Sequence, residues 1–382
     1  MKRLRMSCRL CEGRLLAAPL LVLAGMPSAA QYFPLPDAFP NDDGTTLCVR
    51  ECAACGLIQL DNDPVAYFRE VITAATLSGL LRVSRREKMG ELVSRFDLEG
   101  KTALEVGSGR GEMLDILDEV GIRAVGIEGS AASVQQGRAK GRKMIEGYIG
   151  DDSVLDTAEY DMFICLNYLE HVPHPGRVLE IIHGALKDDG IGYLTVPNLD
   201  YLIDTACLYE FVADHLSYFT RSTLSRALEL NGFDVLECEL INNKNDIEIL
   251  CKKRKHLSIG EAKKEVDALC EDLRSFVNRV IQSGQKVAVW GAGHRTLALL
   301  ALSGVEHIEY IVDSAQFKQG RFSPVTHFEI VGPDALQDNS VDALLIMLPG
   351  AYSSEVIATV QRMNLTMEVA VLRDNQLSTL RL

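Results

Sequence analysis

The sequence predicts an α/β protein in three parts, a small N-terminal cysteine module followed by two Rossmann-like units. Three observations predict it. Two Cys-x-x-Cys pairs lie near the N-terminus, a strand runs into a glycine-rich loop and helix after Lys101, and a similar pattern returns after Lys286. Length agrees, since 382 residues at roughly 150 per domain give two or three domains. With 47% hydrophobic and 24% charged residues the chain is neither disordered nor collagen-like. Its 39 basic and 53 acidic residues leave a net charge of −14. That balance offers no surplus of cations for a nucleic-acid backbone, so no nucleic-acid partner is expected. No apolar run reaches the roughly 20 residues of a membrane-spanning helix, so no membrane partner is expected either.

The first element is the cysteine module, assigned to residues 1–70. Cys8-x-x-Cys11 and Cys52-x-x-Cys55 make a tetrahedral four-thiolate zinc site the natural reading. Each short spacer forms a tight knuckle that aims both sulfurs at a shared ion. All positions would be filled by protein, so this Zn2+ would be structural. Cys48 is a possible substitute ligand, and reduced cysteines without metal are the alternative. Cys165, Cys207, Cys238, Cys251 and Cys270 stand singly and read as reduced thiols of a cytoplasmic protein. The N-terminus also has the layout of a secretory leader: Lys2, Arg3 and Arg5, the apolar run from Leu15 to Ala24, then Pro27-Ser-Ala-Ala30. Cys8 and Cys11 inside the segment that would be removed, and Pro19 within the run, argue against export.

The second element spans residues 71–255. A short strand from Thr102 to Val106 runs into Glu105-Val-Gly107-Ser-Gly109-Arg-Gly111. A helical pattern with Met113, Leu114, Leu117 and Val120 follows, then a strand from Arg123 to Ile127 ending in Glu128. In such a βαβ unit the glycines let backbone approach a ligand at the helix N-terminus, and Glu128 can accept both hydroxyls of a ribose. The pattern fits a dinucleotide or S-adenosylmethionine, and the acid ahead of the first glycine favours the methyl donor. A nicotinamide fold remains the alternative.

This stretch resembles motif I of class I methyltransferases. The resemblance continues through Gly150-Asp151, where Asp151 would address the adenine. It extends to the strand from Tyr160 to Leu166, which runs into Asn167-Tyr-Leu-Glu170-His171, with Asn167 at the cofactor. A turn from Leu186 to Gly190 precedes the strand from Ile191 to Val196, closed by Pro197-Asn198. Glu170-His171 can be read as an acid/base pair. In class I methyltransferases an acid-His here more often packs the cofactor pocket and substrate channel.

The third element, residues 256–382, begins with an amphipathic helix from His256 to Ser283, in which Val266, Leu269, Leu273, Phe276 and Val280 recur at helical spacing. Lys286 to Leu297 is a second βα unit with Gly291-Ala-Gly293, and the next strand, Ile308 to Val312, ends in Asp313. Lys318 and Arg321 are two cations suited to phosphate, with a solvated loop as the alternative.

Taken in order, these parts resemble the three-domain C-methyltransferases that act on nucleotide-linked 4-keto deoxysugars. The resemblance rests on the cysteine module, the motif I core, Asp214-His-Leu-Ser-Tyr-Phe-Thr220, Trp290-Gly-Ala-Gly293 and Lys318-Gln-Gly-Arg-Phe-Ser-Pro324. It implies a class I methyltransferase core and a C-terminal Rossmann-like domain that binds the nucleotide end of the substrate. It also implies that His215 is the general base that removes a proton beside the sugar ketone, with Asp214 holding or polarising the imidazole. Two departures stand out. Val212 occupies the family's Tyr position, leaving Tyr209 or Tyr218 to supply a phenol. Asn242-Asn-Lys-Asn-Asp246 replaces a Gly-Gly-Ser-containing strand near the substrate. The other readings are O- or N-methylation of a related sugar, a non-catalytic scaffold, and an NAD-dependent oxidoreductase.

Overall fold

The computed structural model describes residues 7–31, 33–69, 78–150, 155, 159–255, 257–338 and 341–381. The chain divides into two compact units, Met1–Lys255 and His256–Leu382.

The first unit begins with β1 (Leu21–Met26), β2 (Thr45–Glu51) and β3 (Ile58–Leu60). It continues through α1 (Gly79–Phe96), β4 (Thr102–Val106), α2 (Glu112–Glu119), β5 (Arg123–Glu128), α3 (Ala131–Ala139) and β6 (Met144–Glu146). Next come β7 (Tyr160–Leu166), α4 (Pro175–Ala185), β8 (Leu186–Pro197) and α5 (Leu199–Asp204). It closes with β9 (Ser217–Tyr218), α6 (Arg221–Leu230), β10 (Phe233–Ile241) and β11 (Asp246–Lys253).

Seven strands form one sheet in the order β10-β11-β8-β7-β4-β5-β6. Its central strands are parallel, and β11 runs antiparallel to both neighbours. The chain leaves β4 towards β5 on one side and returns to β7 on the other. Ligands bind at such a switch point, beyond the carboxyl ends of the strands. Fully buried strand side chains, Leu104, Val106, Phe163 and Leu194 among them, make the core beneath it. The turn expected at Leu186–Gly190 is absorbed into β8. The pairing jumps from Tyr160↔Leu186 to Met162↔Ile191 with Asp189 at φ 65, so the extra residues are accommodated as a bulge.

A smaller sheet has the order β1-β2-β3-β9. The leader-like apolar run ends in β1, which pairs antiparallel with β2. The last strand comes from far along the chain: Ile58 and Gln59 of β3 pair with Tyr218 and Ser217 of β9. The cysteine module is thereby stitched to the segment that carries Asp214 and His215.

The second unit contains α7 (Gly260–Gln282), β12 (Val287–Trp290), α8 (His294–Ser303), β13 (Ile308–Val312), β14 (Arg321–Phe322) and β15 (Glu329–Val331). It ends with α9 (Ala335–Asp338), β16 (Ala343–Ile346), α10 (Tyr352–Arg362), β17 (Glu368–Arg373) and β18 (Gln376–Arg381). Its sheet has the order β14-β15-β13-β12-β16-β17-β18, with antiparallel pairing only at the two edges. The expected amphipathic helix is α7, which buries Leu269, Leu273, Phe276 and Val280.

Candidate active site

Cys8, Cys11, Cys52 and Cys55 converge. Cys8 Sγ lies 3.5 Å from Cys55 Sγ and Cys11 Sγ 3.6 Å from Cys52 Sγ, with all four sulfurs inside 4.8 Å. A tetrahedron with Zn–S bonds of 2.3 Å has edges of about 3.8 Å, so the four thiols fit a metal of that size. Backbone N–H groups already point at two of the sulfurs: Leu10 at Cys8, and Ala54 and Cys55 at Cys52. Such donors stabilise thiolate charge, and the hydrogen bond from Cys55 pulls the Cys8 thiol down to about 5. Cys48, the possible substitute, is absent from this cluster.

At the carboxyl edge of the large sheet, the glycine loop follows β4. Gly107, Gly109 and Gly111 all have positive φ, at 70, 55 and 83. At Gly107 the need is also spatial, because a Cβ there would stand 2.3 Å from the Tyr168 ring. Glu128, at the tip of β5, accepts from the backbone N–H groups of Gly109 (2.8 Å) and Ser130 (2.9 Å) and so holds the loop in place. Two buried polar atoms here have no hydrogen-bond partner, Glu105 Oε2 and Ser108 Oγ. Burial pushes the Glu105 carboxyl well above its ordinary range. A buried acceptor and a hydroxyl left open beside a glycine loop suit the ammonium-bearing methionine portion of S-adenosylmethionine. Asn167 adopts φ 46 at the tip of β7 and accepts from Thr195 Oγ1 at 2.7 Å, which leaves its Nδ2 for a ligand. Asp151 lies outside the described residues.

Gly109→Val should act through the backbone, since open space surrounds the position a side chain would take. A left-handed conformation costs a non-glycine residue about 1–2 kcal/mol, and relaxation would take the N–H away from Glu128. Calorimetry should show roughly tenfold weaker donor binding or worse; unchanged affinity would remove the loop from the site.

The second cluster stands behind β7. Glu170, His171 and His215 each place a ligand-type atom within 4.8 Å of the others. The His171 and His215 rings meet edge to face with centroids 4.6 Å apart. His171 Nδ1 lies 3.1 Å from the Asp214 carbonyl oxygen. A carbonyl only accepts, so Nδ1 carries the proton and Nε2 presents a lone pair, 3.9 Å from Glu170 Oε1. The Glu170 carbonyl accepts from Leu216 and Ser217 N–H, fixing the segment after His215. Its side chain is buried, with Oε2 lacking a hydrogen bond. Burial pushes Glu170 up to about 8 and His215 down to about 3, the latter aided by the neighbouring His171. Both groups are therefore neutral near pH 7.

The Asp214 carboxylate does not meet an imidazole. It accepts from Ala30 N–H at 2.7 Å and from the Tyr67 hydroxyl at 2.5 Å, so it ties the N-terminal module to the loop. The expectation that it polarises the imidazole is corrected: its side chain points to the module, and only its backbone reaches a histidine, His171. Tyr67 is the phenol that sequence reasoning missed, 147 residues away from Asp214. Tyr218 is taken up by Val212, accepting from its N–H and donating to its carbonyl, and Tyr209 is exposed. At the Asn-rich turn, Asn242, Asn243 and Lys244 all have positive φ, at 49, 54 and 71. Asn tolerates this region better than most residues. The turn accepts from Asn198 N–H and Nδ2, each at 2.8 Å, and places buried Asp246 where its charge helps raise Glu170.

Residues 81–238 match the family model of a methyltransferase domain, and residues 253–367 match that of a C-methyltransferase C-terminal domain. The C-methyltransferase NovU of Streptomyces niveus is 23% identical over 339 residues, covering 80% of each chain. The chain is an S-adenosylmethionine-dependent methyltransferase whose C-terminal part is similar to that of C-methyltransferases. A ubiquinone biosynthesis O-methyltransferase of Pseudomonas paraeruginosa is 31% identical over 113 residues, 27% of this chain and 47% of the relative. The chain thus spans about half the length of that relative. Among solved structures, magnesium protoporphyrin IX methyltransferase from Synechocystis PCC 6803 is 14% identical with a TM-score of 0.39, over 48% of this chain and 90% of that one. Among the described residues of the methyltransferase, no helix is long and apolar enough to cross a membrane.

In the C-terminal unit of the methyltransferase, Asp313 accepts from Ala292 and Ala315 N–H at 2.8 and 2.9 Å, the same device that Glu128 provides in the first unit. Lys318 Nζ pairs with Asp313 at 2.9 Å. Of the two cations expected for a phosphate, Lys318 is therefore neutralised within the loop, and Arg321 is exposed.

Proposed function

We propose that the methyltransferase places a methyl group on the carbon beside the ketone of a nucleotide-linked 4-keto deoxysugar, with His215 as general base. The observation that carries this reading is the neutral, partly buried His215 imidazole. It has no hydrogen-bond partner among the described residues and stands against His171 at the carboxyl edge of the donor-binding sheet. S-adenosylmethionine, held by the Glu105–Gly111 loop, Glu128, Asn167 and Asp151, supplies an electrophilic methyl on sulfur. Zn2+ on the four cysteines holds the N-terminal module together.

A proton beside a ketone is acidic because the carbanion delocalises onto oxygen. His215 takes that proton in its neutral form. Burial alone makes this imidazole a weak base. The negative enolate formed beside it offsets that effect by stabilising the imidazolium. His171, locked by Asp214 and the Glu170 loop, fixes the ring against which His215 packs. Positioning supplies much of the rate, since carbon and methyl must meet at roughly 3–3.5 Å. The test is incubation with isotopically labelled donor and a panel of nucleotide-linked 4-ketosugars, with the product located by mass and NMR. The expected product carries its label on carbon beside the ketone; label on oxygen, or transfer only to acceptors without a nucleotide, would overturn the proposal.

Glu170 gives this site a pH signature. An acid with a folded pKa above its unfolded value holds its proton more tightly in the fold. It therefore makes stability fall as pH rises from the ordinary carboxyl range to about 8. Wild type should lose stability over that window on the order of 1 kcal/mol per pH unit relative to Glu170→Gln. His215 works in the opposite sense, costing stability as pH falls below the ordinary imidazole range. Denaturant melts of both proteins across this window decide it; parallel curves would mean that Glu170 ionises freely in the fold.

A further inference from the structure

Glu170, His171 and His215 offer two imidazole nitrogens and a carboxylate oxygen that lie within 4.8 Å of one another. His171 Nδ1, 3.1 Å from the Asp214 carbonyl oxygen, carries the proton. Its Nε2 therefore keeps a lone pair, 3.9 Å from Glu170 Oε1. Glu170 Oε2 is buried and accepts no hydrogen bond. The His215 ring stands edge to face with His171, and its centroid is 6.1 Å from that of Tyr218.

The set is also held from behind. The Glu170 carbonyl accepts from Leu216 N–H at 2.8 Å and Ser217 N–H at 3.1 Å. Those bonds tie the loop of Glu170 and His171 to the segment that carries His215. Tyr218, locked on the Val212 backbone by two hydrogen bonds, stands beside His215. A histidine that donates its far N–H to a carbonyl is the usual arrangement of a metal ligand, because the bond fixes the tautomer and aims the other nitrogen. A tetrahedral ion with bonds of roughly 2.0–2.1 Å needs ligand atoms about 3.4 Å apart. Gathering the three atoms onto one ion takes shifts of about 0.7 Å or less per side chain.

We propose that these residues form a second cation site, in which a divalent ion of the zinc type on Glu170, His171 Nε2 and His215 inhibits methyl transfer. Two imidazoles and a carboxylate suit Zn2+, Co2+ or Ni2+, and are a poor set for the hard ions Mg2+ and Ca2+. Three protein ligands leave a fourth position open, unlike the set of four cysteines. The ion also gives the buried Glu170 oxygen the partner that the fold withholds. Inhibition follows from valence: a neutral imidazole has one basic lone pair, and once an ion holds it His215 cannot take a proton from carbon. Binding of the ion stands on the geometry, whereas inhibition rests on His215 being the base, and the two are read separately.

The full chain is first given one equivalent of Zn2+ for its cysteines and freed of excess. Co2+ is then titrated in and followed by calorimetry and visible absorption. Wild type should bind one further ion with the ligand-field bands of a nitrogen and oxygen site, without the thiolate-to-metal band that cysteines add. Glu170→Gln and His215→Asn should weaken that binding at least about 100-fold, the upper end of what losing an outer partner costs. Both should bind S-adenosylmethionine within about threefold of wild type, which shows that they are folded. The wild-type spectrum decides the matter even where a variant fails to fold. No further ion, or a spectrum with the thiolate band alone, would overturn the site and leave the base assignment untouched. Turnover should fall in proportion to the further ion bound and return when a weak chelator removes it. A bound ion with unchanged or raised turnover would overturn the inhibition, and His215 as base with it.

Discussion

His215→Ala is expected to bind S-adenosylmethionine as wild type does and to lose methyl transfer by about 10²- to 10⁴-fold, the usual span for a general base. Donor binding survives because the Glu105–Gly111 loop is held by Glu128 and not by the histidine pair. The sharper measurement is exchange. If His215 removes a carbon-bound proton reversibly, enzyme, 4-ketosugar and the demethylated donor product in heavy water should place deuterium beside the ketone. The alanine variant should show none. A hydroxyl acceptor would give no enzyme-dependent exchange at carbon, so a deuterium-free sugar with a methyl on oxygen and an active His215→Ala would end the carbon-base assignment. Asp214→Asn should behave differently, because the carboxylate accepts from Ala30 and Tyr67. An amide can accept only one of them through oxygen and turns a donor towards the other. The expected cost is about 1–3 kcal/mol of stability, with partial activity retained.

Cys52→Ser is expected to have the largest effect on stability. A structural four-thiolate zinc contributes roughly 10–16 kcal/mol of folding free energy in small modules, and a variant that no longer holds the metal should forfeit most of what it contributes here. The consequence should reach the catalytic segment. β9 belongs to the sheet of the cysteine module, and Leu60 N–H donates to the Leu216 carbonyl at 3.1 Å. Arg9, between the two knuckle cysteines, donates to the carbonyls of Leu60, Pro173 and Asn62. Loosening the knuckle therefore releases both sides of the histidine pair, whereas the glycine loop after β4 keeps its own supports. Elemental analysis should show zinc in wild type and its loss in Cys52→Ser. Turnover should fall at least about 100-fold, with donor affinity changed less than tenfold. Carefully purified wild-type protein without zinc would refute the metal assignment, and parallel loss of donor binding would refute the separation of the two sites.

Most of the architecture was legible in the chain itself because its signals are local. Two thiols three residues apart already mark half of the four-cysteine cluster. The run from Thr102 to Gly111 writes strand, left-handed glycine turn and helix start within a few bonds of each other. Glu128 could be paired with that loop because consecutive strands of a βαβ unit lie side by side. The same logic placed α7 from the spacing of its buried residues. The Leu186–Gly190 turn was misread as a boundary, since a bulge and a turn use the same residues and only the neighbouring strand distinguishes them.

What the tertiary structure alone decided is which remote groups meet and which remain unmet. Asp214 looked like the partner of His215 because they are adjacent in sequence, but consecutive residues point apart, and the carboxylate went to Tyr67 and Ala30 in the module. Tyr67 carries no local pattern that marks it as the nearby phenol. The unsatisfied state of Glu105 and Glu170 is likewise invisible in one dimension. It depends on burial from several elements at once and on nearby acids and bases having already found other partners. Spacing along the chain thus marked the four cysteines that converge, the glycine loop after β4 and the fold. Long-range burial decided the surroundings of His215 and which buried polar groups stay unpaired, because the cost of a desolvated charge depends on everything packed around it and not on its neighbours in sequence.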